Sequence, residues 1–214
     1  MDQRQMKSNE YVIKQTDGTI AVSAATPTGM VTGEQLAKIS ELVNKGKGIA
    51  KLTTAQSIMI FTSPDQVQSV KDGLAEVGLG IRPNGYTIRN IKACCGKLCN
   101  YTNQDTLNDA IALDRAFAGR EMPNKVKISI SGCPKNCMEA LSNDIGFIGI
   151  PGGYQLYIGG RGGRRQALGL LMSEIKQEEM ASAIEKILDK YVIAGKFRER
   201  ISHVIEKQGL DVFK

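Results

Sequence analysis

Two short segments hold all five cysteines of this 214-residue chain. An odd number of cysteines argues against a disulfide framework, and a chain of this length can bury a core without such cross-links. The grouping predicts a fold that brings the two segments together around a metal ion or an iron–sulfur cluster. The segments are KACCGKLCNY, positions 92–101, with Cys94, Cys95 and Cys99, and SGCPKNCMEA, positions 131–140, with Cys133 and Cys137.

The spacing of these cysteines favours an iron–sulfur cluster and leaves zinc open. Structural zinc sites favour two residues between paired ligands. Here three residues separate Cys133 from Cys137, and the first segment offers Cys99 with either Cys94 or Cys95. A cluster is wider than one zinc ion and accepts longer loops. Thiol redox chemistry and plain packing stay open for the same residues.

The hydrophobic pattern of the first part predicts a small unit of strands and helices. Strand–helix–strand–helix order is typical of α+β ferredoxin-like halves, so we assign residues 1–83 to a ferredoxin-like half-domain. The predicted elements are a strand at 19–26, a helix over 33–45 capped by Thr32, one or two strand segments within 48–61, and a helix over 64–77 that begins with a capping box of Ser63 and Gln66.

Residues 84–214 predict a second, α/β domain. Its strand KVKISIS runs directly into the second cysteine segment, where Pro134 favours the first turn of a helix. Cys133 and Cys137 would then share one face of that helix, with backbone N–H groups directed at the negative charge of a cluster. The other predicted elements are a helix over 103–118 capped by Thr102, a strand over 125–131, a hairpin of 144–150 with 154–160, and helices over 177–194 and 197–208.

Composition excludes several classes of protein. The sequence contains no run of eighteen apolar residues, so no membrane span is predicted. The polar N-terminus has no secretory h-region, and we therefore expect a cytoplasmic protein without membrane attachment. The net charge is +6, but there is no tryptophan, and the densest basic stretch, GGRGGRR at 159–165, contains no aromatic residue. This pattern does not favour nucleic acid as a partner.

Several motifs together resemble the siroheme-dependent sulfite and nitrite reductases. SGCPKNC is similar to that family's second cluster motif, and EALSNDIGFIG followed by YQLYIGGRGGRR is similar to the segments after it. IAKLTTAQSIMIF is similar to a strand of the family's ferredoxin-like half-domain. The resemblance runs over about 20–205 in the family's order, and the chain matches the small single-repeat form, the low-molecular-weight assimilatory-type sulfite reductases.

The resemblance implies two cofactors, a [4Fe–4S] cluster and siroheme. The cluster ligands would be Cys94, Cys99, Cys133 and Cys137, and Cys137 would also bridge the cluster to the siroheme iron. Cys95 is the alternative to Cys94, because the family's first cysteine pair is usually spaced more widely than this one.

The resemblance also assigns basic residues to cofactor and substrate. Siroheme carries many carboxylates, which the guanidinium forks of Arg161, Arg164 and Arg165 would bind. Lys135 and Asn136 would contact the same cofactor. The cations expected at the bound oxyanion, which would polarise it and deliver protons, are Arg89, Lys92 and Lys97.

The implied activity is the six-electron reduction of sulfite to sulfide, with nitrite as the alternative substrate. A second hypothesis is a non-catalytic iron–sulfur electron-transfer protein or subunit, which Ala55 favours, since the family's first repeat usually has an anion-binding arginine there. A third is a zinc-stabilised regulatory module, which the order of the motifs disfavours. The expected partners are a small inorganic anion, an electron donor such as a ferredoxin or a reductase subunit, and a second copy of the chain.

Overall fold

The computed structural model describes residues 12–214, so the start of the expected half-domain, residues 1–11, lies outside the described residues. The chain divides into two compact units, Met1–Gly85 and Tyr86–Lys214. Both mix helices with strands, and the expected α+β fold class is confirmed. No helix within residues 12–214 is long and apolar enough to cross a membrane.

The first unit is an antiparallel sheet with two helices. Its strands lie in the order β1-β2-β4-β3, and the buried side of β4 packs with Ile39 and Leu42 of α1 and Leu74 of α2. The elements are β1 (Val12–Lys14), β2 (Ile20–Ala24), α1 (Gly33–Lys45), β3 (Ile49–Leu52), β4 (Ile58–Thr62) and α2 (Val67–Glu76).

The two predicted helix starts of this unit have different outcomes. Thr32 caps α1, because its hydroxyl accepts from the Gln35 N–H at 3.2 Å while the Gln35 side chain accepts from the Thr32 N–H at 3.0 Å. The prediction of a capping box at Ser63 is wrong. The Ser63 side chain caps no backbone group, and a 3-10 turn over Pro64–Gln66 precedes α2. The proline sets the turn, but the following backbone tightens before the α-helix begins.

The second unit is a five-stranded sheet in the order β5-β6-β7-β8-β9. The first three strands are parallel, and β7, β8 and β9 are antiparallel neighbours. Helices α3, α4 and α5 share one apolar core with the sheet, centred on residues such as Ile130 and Phe147. The elements are β5 (Lys92–Ala93), α3 (Thr106–Phe117), β6 (Ile128–Ser131), β7 (Ile145–Ile150), β8 (Gly153–Ile158), β9 (Leu170–Ile175), α4 (Met180–Ala194) and α5 (Ile201–Gln208).

Three features of this unit differ from the sequence predictions. The edge strand β9 was not predicted. Helix α3 begins at Thr106, because the Thr102 hydroxyl donates to the Gln104 carbonyl at 2.7 Å instead of capping a helix. No helix begins at Pro134, and the second cysteine motif is a series of turns. The predicted hairpin is present as β7 and β8.

Candidate cofactor and anion site

The sheet topology brings the two cysteine segments together. Strands β5 and β6 are parallel neighbours, and each leads directly into one of the segments. The carboxyl ends of adjacent parallel strands meet at one edge, where α/β sheets commonly bind ligands. The Cys94 N–H donates to the Ile130 carbonyl at 3.2 Å, and the Gly132 N–H donates to the Cys94 sulfur at 3.1 Å. The first segment is therefore hydrogen-bonded to the start of the second.

Cys94 and Cys95 occupy different environments despite being neighbours. Cys94 is partly buried, and its sulfur lies 3.4 Å from the hydroxyl of Thr106 at the start of α3. Cys95 is exposed. An N–H group that already points at the sulfur stabilises a thiolate ligand, which favours Cys94 over Cys95 as the fourth ligand. That choice stays a prediction.

The second cysteine motif is shaped by Asn136 and not by a helix. The backbone of Asn136 is left-handed, with φ of 53°, and Glu139 follows with φ of 54°. The Asn136 side-chain oxygen accepts from the Ala140 N–H at 2.7 Å and from the Ser131 hydroxyl at 3.1 Å. These positive φ angles prevent a continuous helix, and the expectation of aligned helix N–H groups at the cluster is wrong. Cys137 is exposed at the end of the turn.

The two motifs are packed too closely for larger residues at Gly132. A Cβ on Gly132 would lie 2.2 Å from the hydroxyl of Thr102, the residue that directly follows the first segment. Within residues 12–214, no group of three or more His, Cys, Asp or Glu side chains is arranged to hold a single metal ion. The donors are thiols on two adjoining loops with an N–H directed at one sulfur, a donor set that fits an iron–sulfur cluster.

Strand β6 carries the site on one side and the core on the other. Ile128 and Ile130 belong to the apolar core, and the alternate residues Ser129 and Ser131 face the other way. The loop after the second cysteine motif covers that other face, because a Cβ on Gly146 of the neighbouring strand would be 2.2 Å from the Ala140 carbonyl oxygen.

Sequence reasoning missed Lys125 and Lys127, which continue this alternation toward the start of the strand. With Arg89 and Lys92 they form what we call the basic patch. Burial lowers the pKa of Lys125, and the positive charges of Arg200, Lys127 and Arg89 lower it further. The signal was available in KVKISIS, where the alternate positions are lysine, lysine, serine and serine.

Lys92 and Arg89 of the basic patch have the same character as Lys125, whereas Lys127 is exposed. Burial lowers the pKa of Lys92, an effect that Glu139 opposes and Lys127 reinforces. Burial also lowers the pKa of Arg89. Three of the four cations are therefore partly dehydrated, and such a concentration of positive charge favours a small anion. Of the predicted substrate residues, Arg89 and Lys92 lie in this patch, whereas exposed Lys97 bonds to Asp105 at 2.9 Å.

A buried ion pair holds the start of β6 beside the basic patch. The Asp144 carboxylate is fully buried and accepts from the Arg200 guanidinium at 2.7 and 2.6 Å. It also accepts from the Lys127 N–H at 2.8 Å. Since Asp144 neutralises Arg200, the net positive charge at this face comes from the patch residues.

The predicted siroheme residues divide into buried and exposed ones. Arg161 is buried, and its guanidinium donates to the Ser202 hydroxyl at 2.9 Å and to Glu206 at 3.2 Å. Its backbone pairs with Ala167, which closes the loop that carries Arg164 and Arg165, both exposed. Arg161 therefore anchors the loop, and the two exposed arginines have guanidinium groups available for carboxylates.

Lys135 lies beside the first cysteine segment. Its ammonium is 3.2 Å from the centre of the Tyr101 ring. Lys135 therefore bridges the surfaces of the two cysteine motifs, while Asn136 uses its side-chain oxygen within the loop. Contact of either residue with siroheme stays a prediction.

Comparison with known proteins gives the family. The family model described as the nitrite and sulphite reductase 4Fe-4S domain matches residues 84–214. The model of the nitrite/sulfite reductase ferredoxin-like half domain matches residues 12–77. The first match alone covers more than half of the chain and includes both cysteine segments.

Individual relatives differ in how much of their length the chain covers. The chain is 34% identical over 204 residues to a nitrite reductase [NAD(P)H] of Bacillus subtilis, covering 92% of this chain and 25% of the relative. It is 29% identical over 201 residues to an assimilatory-type sulfite reductase of Nitratidesulfovibrio vulgaris, covering 92% of this chain and 91% of the relative. The chain thus spans about a quarter of the nitrite reductase and nearly all of the sulfite reductase.

Solved structures share the fold. The Mycobacterium tuberculosis NirA protein has a TM-score of 0.80 at 22% identity, covering 95% of this chain and 41% of that one. The dissimilatory sulfite reductase I has a TM-score of 0.83 at 16% identity, covering 91% and 69%. With both family models matched in sequence, the chain belongs to the nitrite and sulfite reductase family, whose members carry siroheme and a [4Fe–4S] cluster.

Proposed function

We propose that this chain catalyses the six-electron reduction of sulfite to sulfide. The observation that carries the proposal is the basic patch, in which Lys125 and Lys127 precede β6 while Arg89 and Lys92 lie before and at the start of the neighbouring strand β5. A site that gathers dehydrated positive charge beside a cofactor motif suits a small oxyanion. The similarity to a sulfite reductase of nearly the same length supports sulfite in particular.

The chain's own residues have two tasks in this reaction. Arg89 and Lys127 attract the anion and stabilise negative charge on its oxygens, while Lys92 and Lys125 can also release a proton. Their lowered pKa makes these two lysines stronger acids than exposed ones, and the reduction consumes protons as each oxygen leaves as water. Siroheme and the [4Fe–4S] cluster, when bound, supply the electron transfer. Cys94, Cys99, Cys133 and Cys137 are the proposed cluster ligands.

The proposal is tested on purified protein with bound cofactors. Reduced methyl viologen serves as donor, its oxidation is followed with sulfite or nitrite, and sulfide and ammonia are measured as products. We expect sulfide formation and a kcat/KM for sulfite above that for nitrite. The Lys125→Met/Lys127→Met variant should lose about 100-fold or more in kcat/KM, because two charges next to the oxyanion are removed. The control is Lys186→Met on the exposed side of α4, which should match wild type.

Two other activities are separated by the same experiment. Nitrite reduction to ammonia is supported by the 34% identity to the Bacillus subtilis nitrite reductase, and ammonia as the main product would establish it. A non-catalytic electron-transfer protein would contain the iron and acid-labile sulfide of a cluster but form neither product. Either result would refute the sulfite proposal.

A second copy of the chain and an electron donor complete the proposed function. Strand β3 is an edge strand that exposes Ile49 on one side of the sheet and Leu52 on the other, which gives the proposed half-domain, 1–83, an apolar edge for pairing. Light scattering should give twice the chain mass of 23.2 kDa. A mass of one chain for the wild-type protein would refute the dimer. The Leu52→Lys variant is expected to be a monomer.

We keep the cytoplasm as the proposed compartment and 84–214 as the proposed cofactor domain.

A further inference from the structure

One threonine hydroxyl joins helix α3 to the first cysteine segment. Thr106, the first residue of α3, is completely buried. Its hydroxyl oxygen lies 3.0 Å from the Cys94 carbonyl oxygen and 3.4 Å from the Cys94 sulfur. Threonine hydroxyls near helix starts commonly bond to the backbone of their own turn, whereas this one reaches a residue twelve positions earlier in the sequence. Both of these contacts are made to a single residue, which is a proposed cluster ligand.

Packing on two sides holds the Thr106 side chain in this orientation. A Cβ on Gly96 would lie 3.0 Å from the Thr106 hydroxyl oxygen and 3.1 Å from the Thr106 backbone nitrogen, so the loop between the first cysteines lies directly on the first turn of α3. A Cβ on Gly132 would lie 3.3 Å from the Thr106 methyl carbon. Because a β-branched side chain has few rotamers, the methyl group beside the second cysteine segment fixes the hydroxyl beside the first.

The Cys94 sulfur has two potential hydrogen-bond donors from different parts of the chain. The Gly132 N–H donates to it at 3.1 Å, and the Thr106 hydroxyl is the second, at 3.4 Å. While Cys94 is a thiol, the hydroxyl donates to the Cys94 carbonyl. A cluster ligand is a thiolate, and a negatively charged acceptor attracts a donor more strongly than a neutral carbonyl does. The hydroxyl proton can therefore turn to the sulfur by rotation about one bond.

From these contacts we infer that Thr106 is a positioning residue that raises the reduction potential of the cluster by donating a hydrogen bond to the Cys94 sulfur. The inference rests on the ligand role of Cys94 in the proposed function. One electron taken up from the donor makes the bound cluster more negative by one unit, with no bond formed or broken and no proton leaving Thr106. A hydrogen bond to a cluster sulfur stabilises that added charge, and such bonds are among the factors that set the potentials of iron–sulfur clusters.

The test measures the reduction potential of the cluster in the cofactor-loaded protein, by a redox titration followed by EPR. Thr106→Val replaces the hydroxyl with a methyl group of similar size. At a fixed potential the ratio of reduced to oxidised cluster should fall about threefold to tenfold, where tenfold corresponds to about 59 mV for one electron. Thr106→Ser keeps the hydroxyl and should retain the wild-type potential. The control is Thr26→Val in the first unit, which removes a completely buried hydroxyl that donates to the Gln56 carbonyl at 2.9 Å, and it should leave the potential unchanged.

Iron and acid-labile sulfide are measured in each variant, so that proteins with equal cluster content are compared. Equal potentials in Thr106→Val and wild type would overturn the inference, and so would the same shift in Thr106→Ser, because packing would then set the potential. If Thr106→Val holds no cluster, Thr106→Ala takes its place, and loss of the cluster in both overturns the inference by assigning the hydroxyl to cluster assembly. A full cluster in Cys94→Ser would refute the ligand assignment and the inference with it. A lowered potential in Thr106→Val, with no sulfide formed by wild type, would refute only the proposed reaction.

Discussion

Removing Arg200 should destabilise the second unit more than removing any exposed charged side chain does. The Asp144 carboxylate is fully buried and accepts two hydrogen bonds from Arg200, at 2.7 and 2.6 Å. The Arg200→Met variant keeps a side chain of similar length but leaves that carboxylate with the Lys127 N–H as its one remaining bond among those described above. An unpaired buried charge is among the costliest local defects in a protein.

The magnitude follows from the geometry. Two hydrogen bonds to a charged group contribute about 1.5–3 kcal/mol each, and breaking a buried ion pair costs about 3–5 kcal/mol in total. We expect Arg200→Met to lower the free energy of unfolding by that amount. The double variant Asp144→Leu/Arg200→Met removes both charges and should lose about 1–3 kcal/mol, because only the Lys127 N–H is left without an acceptor.

Urea unfolding followed by circular dichroism measures these differences on cofactor-free protein, with equal m-values as the check on comparable unfolding. The control is Lys214→Met, which breaks the exposed pair with Asp211 and should cost less than about 1 kcal/mol. The reasoning is refuted if Arg200→Met costs no more than this control. It is also refuted if the double variant is less stable than Arg200→Met, since the penalty would then not come from the unpaired carboxylate.

Three further predictions concern the site. Cys94→Ser should abolish cluster assembly and Cys95→Ser should preserve it, as measured by iron and acid-labile sulfide; equal loss in both would contradict the distinction. Gly146→Ala should cost about 1–3 kcal/mol of stability in thermal unfolding, because its Cβ would lie 2.2 Å from the Ala140 carbonyl oxygen, and an unchanged midpoint would show that the loop yields freely. Sulfite binding should weaken as pH rises, at a pH below that at which an exposed lysine loses its proton, since burial lowers the pKa of Lys125. The Lys125→Met variant should lose part of this pH dependence, and an unaltered profile would exclude Lys125 from the anion site.

Patterns in the sequence correctly predicted the helices and strands that depend on contacts between residues close in the sequence. The Thr32 cap of α1 depends on residues three positions apart, and the alternation of KVKISIS is enough to predict β6 and the side of it that faces the apolar core. The hairpin of β7 and β8 follows from two apolar runs around a glycine turn. In each case the interaction that decides the structure lies within a few residues in the sequence.

The features that the sequence did not predict depend on contacts outside the local pattern, many of them between residues far apart in the sequence. Arg161 is buried because Ser202 and Glu206 on α5 receive its guanidinium, and no pattern near GGRGGRR indicates those partners. The turn at Asn136 forms because its side chain bonds to the Ala140 N–H, which outweighs the helix signal of Pro134. Each prediction considered only sequence neighbours, whereas the structure satisfies a polar group through the chain's path in space.

Strand β6 links the two parts of the site in a way that neither motif alone reveals. Its core residues Ile128 and Ile130 are fully buried, so the strand has little freedom to shift or rotate. Lys127 precedes the strand and Cys133 follows it, so the separation between the basic patch and the cysteine motif is set by a rigid element and not by a loop. A one-residue slip would move the serines and lysines to the core side, which the packing forbids. The same apolar residues that stabilise the fold therefore fix the distance between the proposed anion site and the proposed cluster ligands.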